Sequence, residues 1–260
     1  MINYSFDLNN LEYFLCILVR VSAFIYLAPI LSQNGVPRQF KIALSFFISI
    51  LLYGAIGEHP NLNYQSVYGY AVIVMKEALT GLLIGFSASI CNTVVDFAGR
   101  IIDMETGLSM VNLIDPATRQ NSSVSGIIYQ YGIMLMLLLT GLHRYFIQAL
   151  AETFVLIPVN GAILDNTRLL DSVLTFMKDY ITIGFRICLP VFAVMLLLNA
   201  VLGIMARVAP QMNMFSVGMQ LKVLVGLCVL FLTIGMLPSI TNFIFSEMKT
   251  MMTSFVNTMI

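Results

Sequence analysis

Apolar residues dominate this chain in long unbroken runs, not in the alternation of half-buried strands. Six runs stand out, at about 12–31, 40–57, 70–95, 124–142, 181–206 and 217–243. Each is close to or above the ~18 apolar residues expected of a helix that crosses a bilayer. Backbone groups in lipid must find partners within their own segment, so each run is expected to be helical. The predicted fold class is an all-α membrane protein with about six long apolar helices.

The connections differ in character. Residues 32–39, SQNGVPRQ, form a short polar turn with Gly35 and Pro37 as breakers, and residues 57–69 form a loop with Gly57 and Pro60. The 143–180 stretch is partly amphipathic. Leu169, Leu170, Val173, Leu174, Met177 and Tyr180 recur at helical spacing with Asp171, Lys178 and Asp179 between them, and Asn166 or Thr167 is the expected cap. Alternate connections hold Arg38 and Lys41, then Arg100 and Arg119, then Arg207 and Lys222. The bias of basic residues towards the cytoplasm places these connections inside and both termini outside. The opposite side carries Arg144, Arg168, Lys178 and Lys249, which makes the bias modest. No Lys or Arg precedes the first run, whose earliest basic residue is Arg20, and no small-residue cleavage site follows it. The run is therefore expected to stay as a membrane helix and not to be removed as a signal peptide.

Composition supports this reading. Of 260 residues, 59% are hydrophobic and 10% charged, where a soluble domain carries about a quarter charged residues. The mean hydropathy is +0.90. Thirteen basic and thirteen acidic residues cancel, leaving no basic field for nucleic acid and no acidic tail. Cys16, Cys91, Cys188 and Cys228 lie in or beside apolar runs without a CxxC pair and read as small buried side chains. His59 and His143 are too few and too far apart in sequence to suggest a metal site. No HExxH, Walker loop or GxGxxG is present. Neither catalytic residues nor a cofactor or metal is expected, and the chain reads as a non-enzyme.

Charges inside apolar runs are costly in lipid and face protein or water. Arg20 lies within the first run, Lys76 and Glu77 near the start of the third, and Arg186 four residues before Pro190 in the fifth. Arg20 is deep enough to favour a protein-facing role. For Lys76, Glu77 and Arg186, a polar pathway or partner contact stands beside snorkelling or a structural ion pair. Gly81, Gly85 and Ser89, spaced by four, form a smooth stripe for close helix packing. Asp96, Arg100 and Asp103 are spaced so that a continuing helix lets them pair. Gly107 then loosens the chain, Asp115-Pro116 marks a turn, and Met110, Val111, Leu113 and Ile114 lie between them. That apolar stretch is too short to span. It is either a connection on the membrane surface or a re-entrant loop surrounded by protein. Further on, Arg207 and Lys222 flank a polar turn with Pro210, Gln211 and Asn213.

EALTGLLIGF at 77–86, AGRIIDMETGL at 98–108 with DP at 115–116, and above all ARVAPQMNMFSVGMQLK at 206–222 carry a resemblance. With them, nearly the whole chain resembles the FliR family of flagellar export-gate proteins and its counterparts in virulence-type type III secretion. The resemblance implies a core subunit of an export gate in the bacterial inner membrane, at the flagellar basal body, forming part of the conduit for unfolded flagellar proteins. It implies P-type and Q-type export-gate subunits as partners, together with a B-type switch subunit and membrane lipid. It also implies tilted, kinked helical hairpins in a P-like plus Q-like fusion. Residues 1–175 would be P-like, including the 106–123 loop, and residues 176–260 a Q-like hairpin. By position, Met110, Val111, Leu113 and Ile114 would form a plug in the conduit, where many family members carry aromatics. The turn with Arg207, Pro210, Gln211, Asn213 and Lys222 would bind the B-type partner. Other classes stand beside this reading: a small-solute transporter or channel, a scaffold without a conduit, and a virulence-type export subunit. A transporter is expected to show internal repeats, and none is apparent.

Overall fold

The computed structural model describes residues 8–29, 36–57, 60, 62, 64, 66–109, 123–163, 165–209, 211 and 213–260. Among these the chain is helical, without strands. The helices are α1 (Leu8–Leu27), α2 (Arg38–Ile56), α3 (Val67–Ala88), α4 (Ile90–Thr106), α5 (Val124–Leu139), α6 (His143–Leu156), α7 (Asn166–Val208), α8 (Met214–Ile234) and α9 (Leu237–Thr258). Five are long and apolar enough to cross a membrane, and the broken pair α5 and α6 makes a sixth if it counts as one span. The expected count of six apolar segments thus corresponds to five or six candidate spans.

Local chemistry explains where the elements stop. The third apolar run is two helices. At Ser89 the backbone N–H turns back to the carbonyls of Gly85 and Phe86, and the hydroxyl donates to Phe86 O at 2.7 Å. α4 and α5 are each followed by a left-handed glycine, Gly107 at φ +83° and Gly141 at φ +73°, a conformation that costs glycine little. The sixth run is also divided, at the turn of Gly235 and Met236 between α8 and α9. The amphipathic stretch and the fifth run instead join into one 43-residue helix, α7, with Pro190 inside it. At 1.5 Å per residue α7 is about 65 Å long, roughly twice the hydrocarbon thickness, so much of it must lie outside the lipid core. Its cap is Asp165 rather than Asn166 or Thr167. The carboxylate accepts from the Thr167 amide at 3.0 Å and hydroxyl at 2.5 Å. These bonds, helped by nearby Arg168, hold the Asp165 carboxyl below its ordinary pKa.

The chain forms two compact units, each drawn from separate stretches. The first comprises residues 1–90, 141–176 and 247–260. On α1 the buried positions Tyr13, Cys16, Ile17, Arg20, Val21 and Phe24 recur at helical spacing. Leu150 and Phe154 of α6, Ile84 and Ala88 of α3, and Met248, Met252 and Phe255 of α9 are also buried. Phe86, Phe176 and Phe255 form an aromatic cluster with centroids 4.4–6.4 Å apart. The Ile163 amide donates to Met259 O at 2.9 Å, tying the α6–α7 connection to the end of the chain.

The second unit comprises residues 91–140 and 177–246. Val94, Val95, Ala98 and Ile102 of α4 line one buried face, Ile183, Ile187, Val191 and Met195 of α7 another. Tyr129 of α5 and Thr233 of α8 share a buried hydrogen bond of 2.5 Å. Small residues set the closest approaches. A Cβ on Gly99 would collide with the Gly126 backbone, and one on Gly226 would meet the Thr106 methyl at 2.5 Å. These units follow contacts in space, each combining stretches distant in sequence.

Candidate functional site

Four of the residues singled out in apolar runs were Arg20, Lys76, Glu77 and Arg186, and the structure gives them different surroundings. Arg20 and Glu77 are fully buried and joined, with Nε donating to Oε2 at 2.5 Å. The remaining guanidinium donors turn to the end of α6. Nη1 reaches Ile157 O at 2.7 Å and Thr153 O at 3.4 Å, and Nη2 reaches Pro158 O at 3.4 Å. The Phe154 ring lies over the guanidinium at 4.4 Å. Carbonyls at a helix end lack partners in their own helix; Arg20 supplies one to Ile157 O, while Thr153 O and Pro158 O also accept from the Ile157 and Gly161 amides, each at 2.8 Å. Glu77 Oε1 accepts from the Asn160 amide at 2.9 Å, and Asn160 has φ +68°. One ion pair therefore joins α1, α3 and the turn after α6 within the first unit.

Lys76 is half-exposed and Arg186 exposed. Arg186 rests over the Phe243 ring at 4.3 Å. Gly81 and Gly85 lie where α3 meets α1: a Cβ at Gly81 would collide with the Arg20 carbonyl, and one at Gly85 would crowd Phe24 and Leu27 at 3.0 Å. Ser89 acts as the end of α3. Beside this contact, Leu18 and Ser22 of α1 with Gln39, Ile42, Ala43 and Phe46 of α2 line an open apolar groove of about 570 Å³.

The stretch before the apolar loop is settled differently from the expected triplet. Asp96 and Arg100 pair at 2.9 Å on the surface. Asp103 is buried, and its carboxylate accepts from the Val124 amide at 2.6 Å and the Ser125 amide at 3.1 Å, twenty-one and twenty-two residues along the chain. Ser123 caps the same helix end through Gly126 N at 2.8 Å. Met110, Val111, Leu113 and Ile114 lie outside the described residues, as do Pro210 and His59. In the basic turn, Arg207, Gln211 and Asn213 are exposed and Lys222 is partly so. Asn213 caps α8 by accepting from Ser216 N at 3.4 Å. Cys16 and Cys188 are buried and Cys228 is exposed. Among the described residues no cluster of metal-ligating side chains occurs.

The sequence signals that Glu77, an anion inside an apolar run, needs a cation, but Arg20, Lys76 and Arg186 all qualify by position, and only the structure selects Arg20. Asn160-Gly161 is likewise a turn signal suited to a left-handed residue. The reach of Asp103 to α5 has no such signal, because it depends on how a long loop closes.

An all-helical membrane protein with these features has a family. The pattern of the bacterial export proteins, family 1, matches residues 11–248, and the chain belongs to that family. It is similar to flagellar biosynthetic protein FliR of Bacillus subtilis, 30% identical over 236 residues covering 90% of each chain. The FliR proteins of Escherichia coli and Aquifex aeolicus are each 30% identical, over 233 residues (88% of this chain, 87% of the relative) and 224 residues (85% and 84%). The protein is a subunit of the flagellar export apparatus in the bacterial inner membrane.

Proposed function

We propose that the chain is a core, non-enzymatic subunit of the flagellar type III export gate and lines part of the conduit for unfolded flagellar proteins. The observation that carries this is the contrast between satisfied interior and unsatisfied exterior. The buried charges Arg20 and Glu77 find partners within the chain, while the apolar windows of α2, α7 and α8 are only 17%, 22% and 22% buried. Phe40, Phe46, Phe47 and Leu51 of α2 and Leu224, Phe231 and Leu232 of α8 are exposed. Lipid covers part of such a surface, and P-type and Q-type subunits cover the rest. Residues 1–175 play the P-like part and 176–260 the Q-like part. The exposed basic turn from Arg207 to Lys222 faces the cytoplasm and docks the B-type subunit. Met110, Val111, Leu113 and Ile114 seal the conduit, since bulky apolar side chains in a narrow passage exclude water and ions, and methionine repacks as a polypeptide passes.

The test is expression with and without P-type and Q-type subunits, followed by mild-detergent affinity purification and measurement of turnover. The expected result is co-purification of both partners and rapid loss of the chain when alone. Equal, monodisperse stability alone would overturn the reading.

A further inference from the structure

We infer that the groove between α1 and α2 binds one anionic phospholipid of the cytoplasmic leaflet, with an acyl chain in the groove and the headgroup against Arg38 and Lys41. The inference does not depend on where the conduit lies. Leu18 and Ser22 of α1 face Ile42, Ala43, Ser45 and Phe46 of α2 across the groove. Its volume of about 570 Å³ falls within the ~300–1,000 Å³ of small-molecule sites. The two hydroxyls in the wall are satisfied within their own helices. Ser22 donates to Val19 O at 3.0 Å, and Ser45 donates to Lys41 O at 2.6 Å. The wall therefore demands nothing polar of its occupant, which suits a hydrocarbon chain better than a peptide backbone.

The two ends of the groove differ, and the difference selects the headgroup. At the Phe46 end stands Phe14, whose ring meets Phe46 edge-on at 5.8 Å and Tyr53 at 5.9 Å. At the Gln39 end, Arg38 lies one turn before Ile42 and Lys41 one turn before Ser45, so each cation heads a lining row. Helical side chains lean towards the N-terminus, which carries both cations beyond the apolar wall. Arg38 is exposed and Lys41 partly so, and among the described residues neither pairs with a carboxylate. The positive end of the α2 dipole points the same way. From Gln39 to Phe46 the groove is about 10 Å long, less than the ~15 Å of hydrocarbon in one leaflet. A lipid with its phosphate level with Arg38 thus lays the upper part of one chain along the wall. Arg38 and Lys41 belong to a connection that the basic bias assigns to the cytoplasm. Basic pockets between membrane helices on that side suit anionic headgroups. A partner helix seated here would fill the wall but leave the two cations unanswered.

The test uses the full chain assembled with its partner subunits in vesicles of neutral phosphatidylcholine. A trace of lipid with a photoreactive acyl chain is added, either phosphatidylglycerol or phosphatidylcholine, and peptide mapping reads the labelling of Leu18, Ile42, Ala43 and Phe46. Phosphatidylglycerol is expected to label these positions roughly tenfold more than phosphatidylcholine, the scale of two basic residues at a membrane surface. Arg38→Gln with Lys41→Gln should remove the preference, and Arg38→Lys should keep it. Ala43→Phe, at an exposed position of the wall, should fill the groove and reduce phosphatidylglycerol labelling to the phosphatidylcholine level. Co-purification of the partners confirms that each variant assembles. Raising the salt concentration should weaken the preference in the unmodified protein, a reading that needs no variant. Equal labelling by the two lipids, or a preference that survives the double glutamine substitution, would overturn the headgroup site. A preference unchanged in Ala43→Phe would overturn the role of the groove. Absence of wall labelling by either lipid would assign the groove to a partner chain and overturn the inference, while leaving the reading as an export-gate subunit intact.

Discussion

Removing Glu77 leaves a fully buried guanidinium without its counter-ion, and the structure sets how much that should cost. Both members of the pair are fully buried. Breaking a buried ion pair by truncating one partner costs about 3–5 kcal/mol, because the other charge stays uncompensated. Glu77→Leu is therefore expected to lower the folding equilibrium by roughly two to four powers of ten. Arg20→Met strands the Glu77 carboxylate and additionally frees the carbonyl of Ile157, while Pro158 O keeps the Gly161 amide at 2.8 Å, so it should be at least as damaging. The double variant removes both charges. What remains is the Asn160 amide and the Ile157 carbonyl without partners, each worth about 1–3 kcal/mol if no water reaches it. The double variant should thus be no less stable than either single one, despite carrying more changes. The assay is a denaturing-detergent titration of the purified protein and its partner subunits, run as a double-mutant cycle. Single costs below about 1 kcal/mol, or a double cost equal to the sum of the singles, would refute the argument that one desolvated pair holds α1, α3 and the α6 terminus together.

Two further outcomes follow from packing and topology. Gly81→Ala drives a Cβ into the Arg20 carbonyl, whereas Gly203→Ala meets nothing within 4 Å. The first should destabilise by about 1–3 kcal/mol and the second should be neutral or stabilising by up to about 1 kcal/mol, read by the same titration; equal effects would contradict the close crossing of α1 and α3. A cysteine at the exposed Asn213, in a background without Cys16, Cys91, Cys188 and Cys228, should react with an impermeant thiol reagent from the cytoplasmic side when the B-type partner is absent. Labelling only from the periplasmic side would reverse the assigned topology.

The long apolar runs determined that the chain is helical and membrane-embedded, because in lipid a backbone has few other ways to satisfy its hydrogen bonds. The isolated charge at Arg20 and the small residues Gly81 and Gly85 were legible for the same reason: each is costly or pointless on a lipid-facing surface. Hydrophobicity says little about where a helix ends. The breaks at Ser89 and at Gly235–Met236 fall inside continuous apolar runs, and the union of 166–180 with the fifth run crosses a change of polarity without a break. Those outcomes are decided by backbone caps and by packing. Partner choice was also beyond the sequence. Arg100 and Asp103 are suitably spaced to pair, yet Arg100 binds Asp96, and Asp103 crosses a loop to the start of α5. The unpartnered amides of a helix start, brought near by the Gly99–Gly126 crossing, donate to the carboxylate more favourably than a solvated arginine does. Glu77 likewise finds Arg20 fifty-seven residues away. Sequence shows which groups need a partner, but only the tertiary structure brings distant groups close enough to become one.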